Sequence, residues 1–177
     1  MTAKSSHTGP LGETGNSDCW CSPPEVSLPL AEFFGGAVDC DPCSNARSII
    51  KAVAAYTHGG LVKRWGRTNY ENPPYSALSA WTDKGLAEMR SGRVVELVRL
   101  TPVSVSTLWW QRQCLKPRRN PRLLFTKRIS FLDPAAETIG MRRVGARFDT
   151  VITYFGPRVV AFERCFRHLA RWMSWGR

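Results

Sequence analysis

The sequence predicts an α/β fold, a largely parallel sheet with helices on both faces. Three observations carry that expectation. Short β-prone runs at 37–40, 67–71 and 94–100 stop at acidic residues, at an Asn-Pro-Pro step and at a proline. Stretches with helical character separate these runs, and parallel neighbours need such crossovers of about a dozen residues. A length of 177 residues suits one domain with a single sizeable core.

Taken in order, the apolar set Val26, Leu28, Leu30, Ala31, Phe33 and Phe34, stopped by Gly35-Gly36, predicts a short helix after Pro23-Pro24. Pro29 lacks an N–H and crowds the carbonyl four residues back, so it belongs in the first turn, with Ser27 as the N-cap. Residues 37–40 read as a strand and Asp41-Pro42 as a turn. The stretch 46–56 is apolar enough for a helix, and 59–65 reads as loop. Residues 67–71 form a strand running into Asn72-Pro73-Pro74-Tyr75, whose prolines cannot join a ladder. Residues 77–89 have the helical period, with Leu78, Trp81, Gly85 and Met89 near one face. A strong strand at 94–100 ends before Pro102, 104–114 reads as helix, and 123–126 and 129–132 as strands. Residues 150–155 and 159–162 suggest a hairpin through Gly156-Pro157, and 163–175 an amphipathic helix. Asp39, Asp41 and the turn 72–75 all fall at strand ends, where open α/β sheets bind ligands.

Composition narrows the function. Residues 1–17 are polar and rich in Ser, Thr and Gly, a flexible lead-in to one domain over 18–177. They lack the apolar centre of a signal peptide, and no apolar run approaches the roughly 18 residues of a membrane span. The six cysteines read as reduced thiols. The spacings Cys19-Trp20-Cys21 and Cys40-Asp41-Pro42-Cys43 do not make two matched zinc knuckles, so no metal is expected. The net charge is +11 and the pI about 9.9. Residues 1–92 hold 8 Lys/Arg against 9 Asp/Glu, whereas 93–177 hold 17 against 5, and 15 of those 17 are Arg. Charge confined to one half points to a polyanion, nucleic acid above all, rather than to a generically basic surface. The planar fork of Arg suits phosphates and base edges. Arg118, Arg119, Arg122, Lys127, Arg128, Arg142, Arg143 and Arg147 are the candidate DNA contacts. Of Trp109-Trp110, at least one is expected in the core, and His58 and His168 have no recognisable partner arrangement.

The turn 72–75 carries the chemistry. Two prolines fix φ near −65° and stiffen the backbone, so an amide, a carbonyl and an aromatic ring project from the end of a core strand. Asn-Pro and Pro-Pro are also ordinary turn punctuation, but that alone does not place an aromatic directly after the turn.

Asn-Pro-Pro-Tyr resembles the motif of methyltransferases acting on planar amino nitrogens, and the wider order of motifs resembles the phage-type DNA adenine methyltransferases. The matching set is Trp20-Cys21-Ser22-Pro23-Pro24-Glu25, then Asp39-Cys40-Asp41-Pro42-Cys43-Ser44-Asn45-Ala46, then Tyr56-Thr57, Gly60-Leu61 and Trp65. It continues through Asn72-Pro73-Pro74-Tyr75-Ser76, Trp81, Lys84, Leu100-Thr101-Pro102 and the run from Leu124 to Phe131, spanning roughly residues 18–155. The resemblance implies a Rossmann-like S-adenosylmethionine-dependent methyltransferase fold acting on double-stranded DNA. It further implies a phage- or prophage-encoded monomer in the bacterial cytoplasm, without membrane association, serving protection from restriction or regulation.

By the same resemblance, Asn72, Pro73, Pro74 and Tyr75 are catalytic. Asn72 and the Pro73 carbonyl would accept the hydrogens of an adenine amine, localising its lone pair, while Tyr75 stacks on the flipped base. Ser22 and Pro23, Asp39 and Asp41, and Pro42 would hold S-adenosylmethionine, Ser22 standing where the family usually has Thr. The chain departs from the pattern at Gly59, where an acidic residue is usual before Gly60-Leu61. Two alternatives share the motif: a protein-glutamine methyltransferase, whose carboxamide nitrogen is also planar, and a catalytically weak DNA-binding remnant. The basic second half and Ser22-Pro23-Pro24-Glu25 argue against the first.

Overall fold

The computed structural model describes residues 17–115, 122–138 and 142–173, so the expected lead-in up to residue 16, and Arg118 and Arg119, lie outside the described residues. Helix α1 (Pro24–Phe34) begins a turn earlier than Ser27 suggests: Pro23 is its N-cap and Pro24 holds the first position, where a missing N–H costs nothing. Pro29 therefore lies inside the helix. It forgoes one bond, to the Glu25 carbonyl, and its ring is buried with Val26, Leu30 and Phe33. Gly35 ends the helix at φ 73°, a conformation that favours glycine.

Strand β1 (Val38–Asp41) pairs in parallel with β2 (Ala52–Ala55), from Val38↔Ala52 to Asp41↔Ala55. The helix expected over 46–56 is thus absent. The Asn45 and Ser48 side chains accept the N–H groups of Arg47 (2.8 Å) and Ile50 (3.2 Å), turning the backbone away from a helical path. The ladder to β1 then draws the alanines into a strand.

Strand β3 (Thr68–Glu71) leads through the turn and a 3₁₀ segment, Tyr75–Ala77, into α2 (Leu78–Arg90). Strand β4 (Glu96–Pro102) and α3 (Leu108–Leu115) follow, then β5 (Arg122–Phe125), the short pair β6 (Ser130–Leu132) and β7 (Arg143–Gly145), and β8 (Thr150–Phe155). Residues 159–162 are not the second half of a hairpin, because they open α4 (Val159–Phe166). Phe162, Cys165 and Phe166, at helical spacing, are buried on one face of α4. The long helix expected over 163–175 ends there, and β9 (Ala170–Met173) adds to β5 instead.

The main sheet has the order β2-β1-β3-β4-β8-β5-β9. β1 to β4 and β5 run one way, β8 and β9 the other, so the sheet is mostly parallel. Alternate residues serve opposite faces. On one face Tyr70, Val98, Leu100, Ile152 and Tyr154 meet Val26, Leu30 and Phe33 of α1 and Phe162 and Phe166 of α4. On the other, Leu97 and Phe155 pack with Trp65 and Trp81, and Val151 with Leu78, Trp109 and Trp110. Both Trp109 and Trp110 are buried. This is the Rossmann-like arrangement expected of the fold class. Among the described residues no helix is long and apolar enough to cross a membrane.

Candidate active site

A cavity of about 210 Å³ lies where β1 and β3 end, lined by Trp20, Ser22, Asp41, Pro42, Asn45, Tyr70, Asn72, Pro74 and neighbouring residues. β1 delivers its last residue, Asp41, to it, and β3 delivers Tyr70 and runs on into Asn72, as expected for a mostly parallel sheet. Gly60 closes one wall. A Cβ there would sit 1.8 Å from the Pro42 carbonyl oxygen, so only glycine lets this loop lie on the turn after β1. The Trp65 indole N–H holds the loop by donating to the Gly60 carbonyl at 2.8 Å.

The charges in the wall are acidic. Among the residues lining the cavity, Asp18 and Asp41 are the acidic side chains and no lysine or arginine is present, although the chain as a whole carries +11. Asp41 is buried and accepts the Cys43 N–H at 3.2 Å. Burial pushes its carboxyl up to about 7; the nearby Glu71 charge adds to the rise, and hydrogen bonds from Cys43 and Ser44 oppose it. Ser22 is buried, and its hydroxyl shares a 2.6 Å hydrogen bond with the Tyr70 phenol.

The turn 72–75 is held on several sides. Asn72 Nδ2 donates to the Trp20 carbonyl at 3.3 Å, and Tyr75 Oη donates to Asn72 Oδ1 at 3.0 Å. Burial, chiefly, raises the Tyr75 pKa, with Cys43 and Asp18 adding to it, so the phenol keeps its proton for that bond. The Ser76 N–H and hydroxyl both donate to the Asp18 carboxylate, at 3.0 and 2.5 Å. Tyr75 also meets the Phe148 ring edge-on at 5.3 Å, and Trp20 lies nearly parallel to Phe148 at 6.4 Å and tilted against Phe131 at 5.4 Å. The β6–β7 pair reaches this cluster because Cys21 and Leu132 exchange backbone hydrogen bonds of 3.1 and 2.9 Å.

The structure therefore brings together Ser22, Asp41, Pro42, Asn72 and Pro74 on one cavity wall. Pro73 is buried within the turn, Tyr75 faces the aromatic cluster, and Pro23 caps α1. Asp39, two residues short of the end of β1, is exposed and accepts the Thr68 N–H at 2.9 Å rather than lining the cavity. The sequence motifs assign no role to Trp20, Asn45 or Tyr70, which also line the cavity. Asn45 secures the N-terminal wall, accepting Cys21 Sγ–H at 3.2 Å and donating to the Cys19 carbonyl at 3.1 Å.

A model of the DNA N-6-adenine-methyltransferase (Dam) family matches residues 12–153. The chain belongs to that family. The matched span contains the cavity and the turn 72–75 and ends inside β8. Membership makes the chain, in general terms, a DNA adenine methyltransferase. No curated protein matches the chain.

For a member of this family the basic residues matter next, and they divide. Arg122 is buried in β5 with its Cα opposite Thr153, so it is no surface contact for a phosphate. Its position on the strand sends it to the interior, a fact that charge counting misses. Lys127, Arg128, Arg142, Arg143 and Arg147 are exposed. Arg128 pairs with Asp149 and Arg142 with Asp133, both at 3.2 Å, and Arg143 with Glu25 at 2.5 Å. Arg142, Arg143 and Arg147 flank or belong to β7, on the same segment as Phe148, which touches Tyr75.

Proposed function

We propose that the chain transfers a methyl group from S-adenosylmethionine to the exocyclic amine of an adenine flipped out of double-stranded DNA, with residues 72–75 as the reacting turn. The observation that carries this reading is Asn72, whose amide lies on the cavity wall and is pinned on both sides, by the Trp20 carbonyl and the Tyr75 hydroxyl. With Nδ2 committed, Oδ1 keeps a second lone pair for an amine hydrogen. The Pro73 carbonyl is the second acceptor. Together they draw the amine nitrogen out of conjugation with its ring, which makes its lone pair available.

The cavity chemistry fits the donor. Its wall has two acidic side chains, several hydroxyls and aromatic rings, and no lysine or arginine, which complements a ligand bearing a sulfonium and an ammonium. Asp41, Ser22 and Pro42 would hold it, with Trp20 and Tyr70 adding aromatic surface. Once bound, S-adenosylmethionine supplies a methyl group on a cationic sulfur. The protein's contribution is to align acceptor and donor, and such positioning is worth about 7–11 kcal/mol. Tyr75 and its aromatic neighbours offset the few kcal/mol of unstacking the base.

The exposed arginines of the β7 segment and Lys127 and Arg128 supply phosphate contacts beside the turn. The reading fits a phage- or prophage-encoded protein acting on DNA in the bacterial cytoplasm. Incubation with methyl-labelled donor and unmethylated phage DNA should place the label in DNA adenine. Label in protein alone would favour glutamine methylation, and no donor binding by calorimetry would favour a remnant; either result rejects the proposal.

A further inference from the structure

Directly beneath the turn lies a buried charge pair. Arg99 of β4 is in register with Glu71, the residue before Asn72, and Arg99 Nε donates to Glu71 Oε2 at 2.6 Å. Both side chains are buried, at 1% and 0% exposure. The same guanidinium reaches forward: Arg99 Nη2 donates to the Trp81 carbonyl in the first turn of α2 at 3.3 Å. Gly85 makes that reach possible, since a Cβ there would stand 2.2 Å from Arg99 Nη2. One side chain thus grips the strand that enters the turn and the helix that leaves it. The pair continues across the sheet into a row of buried polar residues, Glu71, Arg99, Thr153 and Arg122, aligned on four adjacent strands.

A buried ion pair is a poor way to add stability, because apolar residues of similar volume often do as well or better. What it adds is direction. We propose that Arg99 is a positioning residue for the reacting turn: by holding Glu71 and the Trp81 carbonyl together it fixes the path of residues 72–77, and with it the aim of Asn72 Oδ1 and the Pro73 carbonyl. This inference rests on the reading that residues 72–75 are the reacting turn.

The test compares Arg99→Met, the double variant Glu71→Met/Arg99→Met, and Arg99→Lys, by thermal unfolding, donor titration and turnover on DNA. Arg99→Met alone leaves Glu71 buried and uncompensated and should lower Tm. The double variant should recover most of that loss, because no lone charge remains. Its kcat should nevertheless stay at least tenfold down while donor affinity stays within about twofold of wild type. Recovery of kcat together with Tm would overturn the proposal. Arg99→Lys, should the double variant not fold, keeps the charge but not the fork, and a wild-type kcat there would also overturn it. A second readout does not depend on turnover. The Ala77 N–H, bonded to the Pro74 carbonyl at 3.1 Å, should exchange at least tenfold faster in the double variant or in Arg99→Lys, with β8 amides unchanged. Unchanged exchange at Ala77 would refute the strut. Wild-type protein that methylates no DNA would instead refute the functional reading alone.

Discussion

The two faces of the sheet are built from alternate residues of the same strands, yet they hold very different chemistry. Under α1 and α4, residues 70, 98, 100, 152 and 154 present aromatic and aliphatic surface to an apolar core. Its exceptions are hydroxyls already partnered at the sheet's ends, Tyr70 with Ser22 and Tyr154 with Glu96. Under α2 and α3, residues 71, 99 and 153 place a carboxylate, a guanidinium and a hydroxyl between two smaller apolar clusters. The first face can be replaced by anything of matching shape. The second supports the turn proposed to carry the chemistry. On the proposed reading, the difference makes stability and catalysis separable in this fold, although one set of strands serves both.

The separation can be broken from the apolar side first. Phe162 is fully buried, stacked on Tyr154 at 4.8 Å and tilted on Phe166 at 4.7 Å. Phe162→Ala should cost about 3–5 kcal/mol of stability through lost burial and a cavity. Below its lowered melting transition, measured by denaturant or heat, the folded fraction should retain wild-type turnover. Lost turnover in fully folded protein would show that the faces are coupled.

At the end of the sheet, Asp41→Asn should weaken donor binding about tenfold or more at pH 8, by calorimetry. Burial raises its carboxyl from the usual range to about 7, so two opposite trends follow. The buried charge forms as pH rises through about 7, and folding stability contributed by this group falls over the window from about 4 to 7. Affinity for a cationic donor rises over the upper part of the same window. Asp41→Asn should flatten both profiles, and a wild-type affinity flat between pH 6 and 8 would remove Asp41 from the donor site.

The smallest effect belongs to the surface. Arg147→Ala should weaken DNA binding a few-fold, equally for all sequences, and reduce the slope of log K against log salt by about 0.9 if it meets one phosphate. Arg122→Met, by contrast, should leave that slope unchanged because Arg122 is buried. An altered slope for Arg122→Met would contradict the division of the basic residues given above.

Much of this was legible in the chain. The runs at 37–40, 67–71 and 94–100 and the helix at 77–89 carry their own periodicity, and the turn 72–75 announces itself through its prolines. The errors lie where tertiary partners decide. Ala52 to Ala55 have helical propensity but complete a ladder with β1, and β9 exists because β5 offers an edge. In α4 the opening run, residues 159–162, reads as a strand because it is short and apolar, and only Cys165 and Phe166 beyond it continue the helical spacing of Phe162. Within the cavity, Ser22, Asp41 and Asn72 follow from motifs, whereas Trp20, Phe131 and Phe148 of the aromatic cluster come from three separate segments joined by the Cys21–Leu132 bridge and the β6–β7 pairing. Arg99 was invisible as a partner of Glu71 because only strand register sets them side by side.

The central claim is that Asn72 acts on the amine and leaves the donor site intact, and Asn72→Ala tests it most directly. Single-turnover transfer from labelled donor to DNA, measured beside donor titration of the same sample, should fall by about 10²–10³ or more, the scale expected when a positioned hydrogen-bonding group is removed. Donor affinity should stay within a few-fold of wild type. Transfer near the wild-type rate would contradict the account and leave the turn with a structural role alone.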